Sequence, residues 1–340
     1  MENQHIGNQS ISFHQPPSVL SYASVVGQKE AEGPLAECFD LSITDGHFGQ
    51  RTWEQAESHM QRTALRLALQ KAEMTEEDLD SIYLGDLLNQ CTGSAYSMEG
   101  KNIPTLGLYG ACSTMAESLL LGSISVAGGF SSTTAALASS HFASSERQFR
   151  FPLGYGGQRT PTAQWTVTGA GAVILSHQGQ GPYITSATIG TVVDAGIKDA
   201  NNMGGAMALA AFETIRAHME DLKKSPSDYD LIITGDLGYL GQQALLTLLK
   251  KEGLDPGDKL QDCGVLIYDR ENQDVHCGGS GCGCSAVVLC GHLLKKLQKR
   301  DLTRILFCGT GALLSPTSIQ QGQSIPSICP AVTISTNLQI

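Results

Sequence analysis

A chain of 340 residues with 41% hydrophobic content is long enough to bury a large core and too apolar to be disordered. A formal charge of −11, with no basic run longer than Lys295–Lys296, excludes nucleic-acid binding through phosphates. No stretch reaches the ~18 apolar residues of a membrane span, and the ten cysteines, set mostly in apolar strands or helix starts, suit a reducing compartment better than a disulfide frame.

Residues 1–50 are mixed and turn-rich, without a signal segment. Thr52 and Gln55 form a capping box. The helix after it puts Trp53, Ala56, Met60, Ala64, Leu67 and Ala68 on one stripe, which places Trp53 in the core. Strands are expected at 81–84 and 104–108. Gly110-Ala111-Cys112-Ser113-Thr114 then turns into an apolar helix over 115–127, and a strand follows at 134–138. Residues 140–165 read as a long loop rich in aromatic residues, Arg and Gly, a length that usually signals function. Strands are expected at 166–175 and 183–190, with a turn at 179–182. The second half brings a helix over 205–221, strands at 231–234 and 265–268, a glycine-rich turn GGSGCGCS (278–285), a helix over 286–298 and a strand at 304–308.

The order repeats because the chain contains one unit twice. TEEDLDSIYLGDL (75–87) and SPSDYDLIITGDL (225–237) match at Asp78/Asp228, Asp80/Asp230, Ile82/Ile232 and through Gly85-Asp86-Leu87/Gly235-Asp236-Leu237, each pair 150 positions apart. Each copy opens with a hydroxyl residue three before an acid, a capping pattern, and Pro226 suits a first helical position. Two related α/β halves share an interface, where a ligand cleft is expected.

Cys112 follows a strand at a helix start, where unpaired N–H groups stabilise a thiolate or an anionic ligand; the alternative is a small buried hydrophobe. The turn 278–285 could cradle an anion. His276, Cys277, Cys282 and Cys284 fit no common zinc spacing. Arg147 and Arg150 suit either a carboxylate clamp or a solvated loop face. His141 follows a strand, at the carboxyl end where parallel sheets bind ligands, or serves structure. Asp86 and Asp236 also follow strands and either face the cleft or brace the fold.

The turn around Cys112 resembles the nucleophile elbow of the thiolase-like superfamily, the thiolases and the condensing enzymes of fatty-acid synthesis. GGSGCGCSA (278–286) resembles their Gly-His-Pro-x-Gly-x-Ser-Gly loop, CGTGA (308–312) their closing Cys-x-Gly-Gly-Gly segment, and VTGAGAVIL (167–175) their Gly-Ala-Gly-Ala-Val strand. GDLLNQ (85–90), GACST (110–114), ERQFRFP (146–152), YGGQ (155–158), GSGCGCSAVV (279–288) and TGALLSPT (310–317) are similar to the stage V sporulation protein AD family over nearly the whole chain.

The resemblance implies an α/β thiolase-like fold: two pseudo-duplicated βαβαβαββ halves, 1–180 and 181–340, in a five-layer α-β-α-β-α sandwich. The first half carries the Cys112 elbow and the 140–165 loop. The resemblance also implies dipicolinic acid as ligand, calcium as its companion ion and no other cofactor. It implies integral membrane subunits of the same sporulation transport system as partners, and a homodimer pairing along strand 134–138. The location implied is the forespore cytoplasm, peripheral to the spore inner membrane through those partners. Set on the family motifs, the thiolase histidine falls on Ser280, and the second catalytic loop falls within Thr234–Asp236, which holds neither Asn nor His. Cys308 takes the place of the second thiolase cysteine, or is a buried strand residue.

Three functions therefore stand. The first is a binding protein whose pocket uses Cys112, Ser113, Asp86, His141, Arg147, Arg150, Ser280 and Cys308. The second is an acyltransferase or ketoacyl synthase working through a Cys112 thioester, with His141 as the one candidate base. The third is a scaffold for membrane partners.

Overall fold

The computed structural model describes residues 4–149 and 159–338. Its frame is a path of ten strands. β1 (Ser18–Val26), β2 (Ser81–Gly85), β3 (Thr105–Gly107), β4 (Thr133–Ser140) and β5 (Gly169–Ser176) come from the first half. β6 (Tyr183–Thr188), β7 (Leu231–Thr234), β8 (Leu260–Asp262), β9 (Arg304–Cys308) and β10 (Ala331–Ser335) come from the second. The spatial order is β3-β2-β4-β5-β1 in one half and β8-β7-β9-β10-β6 in the other, the same permutation twice. In each, the first three strands of that order run parallel and the last two pairings are antiparallel. The halves meet where Tyr183 of β6 pairs with Ser18 of β1.

The helices fill the layers. α1 (Trp53–Lys71) covers the outer face of the first sheet, burying Ala56, Met60, Ala64 and Ala68 against Ile82, Leu137 and Ile174. α2 (Thr114–Ala127) lies in the central layer: its Met115 and Leu119 share one core with Val173 of β5 and with Ile233, Phe307 and Val332 of the second sheet. α3 (Phe142–Phe149) follows β4. α4 (Met203–Leu222) and α5 (Gly238–Lys251) form the opposite outer layer, with Met207, Ile215 and Leu245 packed on Ile232 and Leu306. α6 (Cys282–Val288) joins α2 in the centre through Ala286 and Val287. Three apolar cores, the central one lying against both sheets, thus join five layers in the α-β-α-β-α order expected.

Local chemistry repeats as well. Thr75 with Asp78 and Ser225 with Asp228 both close capping boxes. Asp80 accepts from Ser132 N (2.6 Å) and Asp230 from Thr303 N (2.7 Å), so each ties its turn to the next strand of its sheet.

Four expectations need correction. Residues 142–149 are the helix α3, not loop; its Ser144, Ser145 and Glu146 are buried against the body of the fold, which a solvated loop would not do. Residues 263–266 are a short helix capped by Asp262, and the strand lies before them at β8. Trp53 is not core: it stacks on His47 at 5.9 Å and carries the Arg147 guanidinium on its face. β4 is not an edge strand, because β2 and β5 flank it; its apolar composition reflects burial on both faces. The edge is β3, whose three residues are all exposed.

Candidate functional site

The backbone brings Cys112 to the floor of a cavity between the halves. Ala111, just before it, holds a left-handed φ of +50°, a strained value for a residue with a Cβ, and leads into a single tight turn ahead of α2. Ser113 closes that turn, donating from Oγ to Gly110 O at 2.7 Å. From the other half, the turn before α6 approaches through Gly281 (φ +99°), where a Cβ would lie 2.7 Å from Ser140 Oγ. Only glycine fits both the angle and the space.

The cavity measures about 70 Å³ and is lined by apolar Leu87, Met203 and Leu314 and by polar Tyr109, Glu146, Thr166, Asn201 and Ser280, with Cys112 beneath. Ser280 Oγ lies 4.0 Å from Cys112 Sγ and donates to Asp236 Oδ2 at 3.1 Å. Asp236 is wholly buried and also accepts from Gly281 N (2.8 Å) and Thr310 Oγ1 (2.8 Å). Its loop is pinned by Asp262, which takes Leu237 N (2.8 Å) and Gly238 N (3.0 Å). On the opposite wall Thr166 Oγ1 donates to Glu146 at 2.9 Å.

This electrostatic setting does not activate the thiol. Burial, then the neighbouring Asp236 carboxylate, pushes the Cys112 pKa well above its ordinary value. The expectation of a thiolate stabilised at the helix start is therefore corrected: desolvation and a like charge outweigh a terminus that first passes through a three-residue turn. Burial likewise raises Asp236, and lifts Tyr109 to about 12.

Of the residues expected at a ligand, Cys112 and Ser280 line the cavity. Ser113 serves the turn behind it. Asp86 is turned away toward α1 and the helix Thr92–Ser97, accepting from Leu88 N (2.8 Å), Ser94 N (2.7 Å) and Ser94 Oγ (2.6 Å). His141 is buried, donates from Nε2 to Gly46 O at 2.7 Å and has its pKa lowered by burial; it does not line the cavity, so it supplies Cys112 with no base there. Arg147 pairs with Glu54 over Trp53, outside the lining, and Arg150 lies outside the described residues. Cys308 ends β9 in the outer core, beside Ala331.

Sequence reasoning missed Tyr109, Glu146, Thr166 and Asn201. Glu146 stood in the same segment as the two arginines, and nothing in a one-dimensional pattern says which of three charges turns inward. Asp236 was marked by its strand-end position, its repeat partner and the family's second catalytic loop, none of which shows that it sits beneath Ser280.

Comparison with known proteins agrees with this architecture. A family model described as Stage V sporulation protein AD (SpoVAD) matches residues 7–335. Stage V sporulation protein AD of Bacillus subtilis (strain 168) is 46% identical over 326 residues, covering 96% of each chain. Among solved structures, OleA of Xanthomonas campestris superposes with a TM-score of 0.61 at 15% identity, over 95% of this chain and 99% of that one. 3-Oxoacyl-[acyl-carrier-protein] synthase III of Aquifex aeolicus VF5 does so with 0.57 at 13%, over 94% and 99%. These two likenesses show the fold.

Proposed function

The chain belongs to the stage V sporulation protein AD family, and from that premise we propose that it binds dipicolinic acid, with or without calcium, and assists its entry into the developing spore and its release in germination. One observation carries the reading. The cavity over Cys112 is retained between the halves, while the positions that would activate the thiol hold Ser280 and Asp236, and no histidine lines the cavity among the described residues. A pocket without a base can hold a ligand but cannot move the protons that condensation requires. Cys112 is then a packing group on the pocket floor.

The ligand is small and planar, and the cavity is lined by apolar side chains with a few polar ones among them. The protein works as a homodimer. β3 presents an exposed edge with Leu106 56% accessible, and two-fold pairing of that edge covers it. No helix among the described residues is long and apolar enough to cross a membrane. We assign its place at the spore inner membrane to contacts with integral membrane subunits of the same system.

The test is equilibrium binding of dipicolinate to the purified protein, with acetyl-coenzyme A as the rival. Saturable dipicolinate binding without acyl turnover is expected. Product formation from an acyl-coenzyme A that depends on Cys112 would instead establish the acyltransferase.

A further inference from the structure

Resting on the reading of the cavity as a dicarboxylate site, we infer that the pocket takes its anionic ligand together with one proton, held on Asp236, and that this proton turns Ser280 from an acceptor into a donor. The argument starts from hydrogen-bond directions. Two aliphatic hydroxyls line the cavity, and both commit their protons to carboxylates: Ser280 to Asp236 at 3.1 Å and Thr166 to Glu146 at 2.9 Å. Toward a ligand they offer lone pairs. Among the described lining residues there is no Lys, Arg or His. Among the described lining side chains the donors left to a ligand are neutral ones, Tyr109, Asn201 and the Cys112 thiol, and a ligand carboxylate placed against Ser280 would meet an acceptor backed by the buried Asp236 carboxylate.

Asp236 is the group that can change this. It accepts from Ser280 Oγ, Gly281 N and Thr310 Oγ1, the pattern of an ionised carboxylate. The groups facing it are Cys112 at the start of α2, Cys282 and Cys284 of α6, and Asp262 with Cys263 at the end of β8. Burial raises these four thiols, so each stays neutral, and Asp262 is a second carboxylate. Among the described residues no facing group supplies positive charge, so an anion arriving next to Ser280 draws a proton to Asp236. Protonated Asp236 then donates to Ser280 Oγ, and the Ser280 hydroxyl is released to donate to the ligand. The count balances: one proton enters from solvent with each ligand and leaves with it.

The experiment is calorimetric titration of the full chain with dipicolinate, whose own carboxyls are ionised from about pH 6 upward. It is run from about pH 6 to about pH 9 in buffers of different ionisation heat. Affinity is expected to fall up to about tenfold per pH unit as pH rises, with buffer-dependent heat reporting uptake of about one proton per ligand. Asp236→Asn cannot titrate and carries no charge; its carbonyl can keep Gly281 N, the donor that shares one oxygen with Ser280 in wild type, so the change removes the repulsion toward an anion at every pH. That variant is expected to bind with no pH slope and, at the alkaline end, more tightly than wild type, an outcome that a merely structural role would not produce. A pH-independent affinity with no buffer effect in wild type overturns the inference and leaves the binding function standing. A slope that persists in Asp236→Asn moves the proton elsewhere, Asp262 included, and overturns it too. Absence of binding at every pH removes both readings. Should the variant fail to fold, the wild-type heats decide alone.

Discussion

Glu57 on α1 is fully buried and faces Asp86, and burial followed by the Asp86 charge lifts its pKa from 4.5 to about 8. Its carboxyl accepts from Ser139 Oγ at 2.9 Å and Ser144 Oγ at 2.8 Å, which lessens the penalty without removing it. The folded state therefore holds a proton that the unfolded chain releases near its ordinary value. That contribution is fully present below about pH 4.5 and is lost as pH rises through about 8. At roughly 1.4 kcal/mol per pH unit, stability should fall by up to about 4 kcal/mol between about pH 5 and about pH 8.5. Glu57→Gln keeps the shape and cannot ionise. Its carbonyl can keep the Ser139 bond, and its NH2 can donate to Ser144 Oγ, whose hydroxyl can turn to His141 O at 3.2 Å. The assay is chemical unfolding at the two pH values for both proteins. The variant should lack most of the pH-dependent loss and be the more stable at the alkaline end. An equal loss in the variant would refute the reasoning, because the titrating group would then lie elsewhere.

Three further outcomes follow from the geometry. Alkylation of Cys112 by iodoacetamide should accelerate with pH and show no plateau below about pH 9, since burial and Asp236 hold the thiol protonated; a plateau near neutrality would reveal an unseen base. Arg147→Ala should leave dipicolinate affinity within about twofold and cost no more than about 1 kcal/mol of stability, because its exposed pair with Glu54 lies outside the cavity; a large loss of affinity would place the clamp at the ligand after all. Leu106→Lys on the β3 edge should convert a dimer to a monomer in light scattering, and a monomeric wild type would dismiss the edge pairing.

The periodicities and repeats in the sequence pointed to two related α/β halves with helices covering parallel strands, and the family resemblance supplied the five-layer order. An alternation of apolar strands with helical stripes, written twice with the same Gly-Asp-Leu strand end, specifies two sheets of one topology, because each half must bury the same faces in the same order. Capping residues and the Cys112 turn were legible for the same reason: their physics is local. What tertiary structure alone decided is direction. Asp86 and Asp236 end equivalent strands in equivalent tripeptides, yet Asp86 turns out to α1 and meets Glu57, while Asp236 turns in beneath Ser280. Glu146 faces the cavity and Arg147, its neighbour, faces away, since successive residues on a helix point about a quarter-turn apart and only the packing of α3 selects which one looks inward. Strand β4 read as an edge because it is uncharged, but a strand buried on both faces has the same composition, and only its partners distinguish the two. The state of the Cys112 thiol was likewise beyond the sequence. A helix start lowers a thiol's pKa and burial beside a carboxylate raises it, and the balance is set first by how completely the fold buries the thiol and then by a carboxylate more than a hundred positions away.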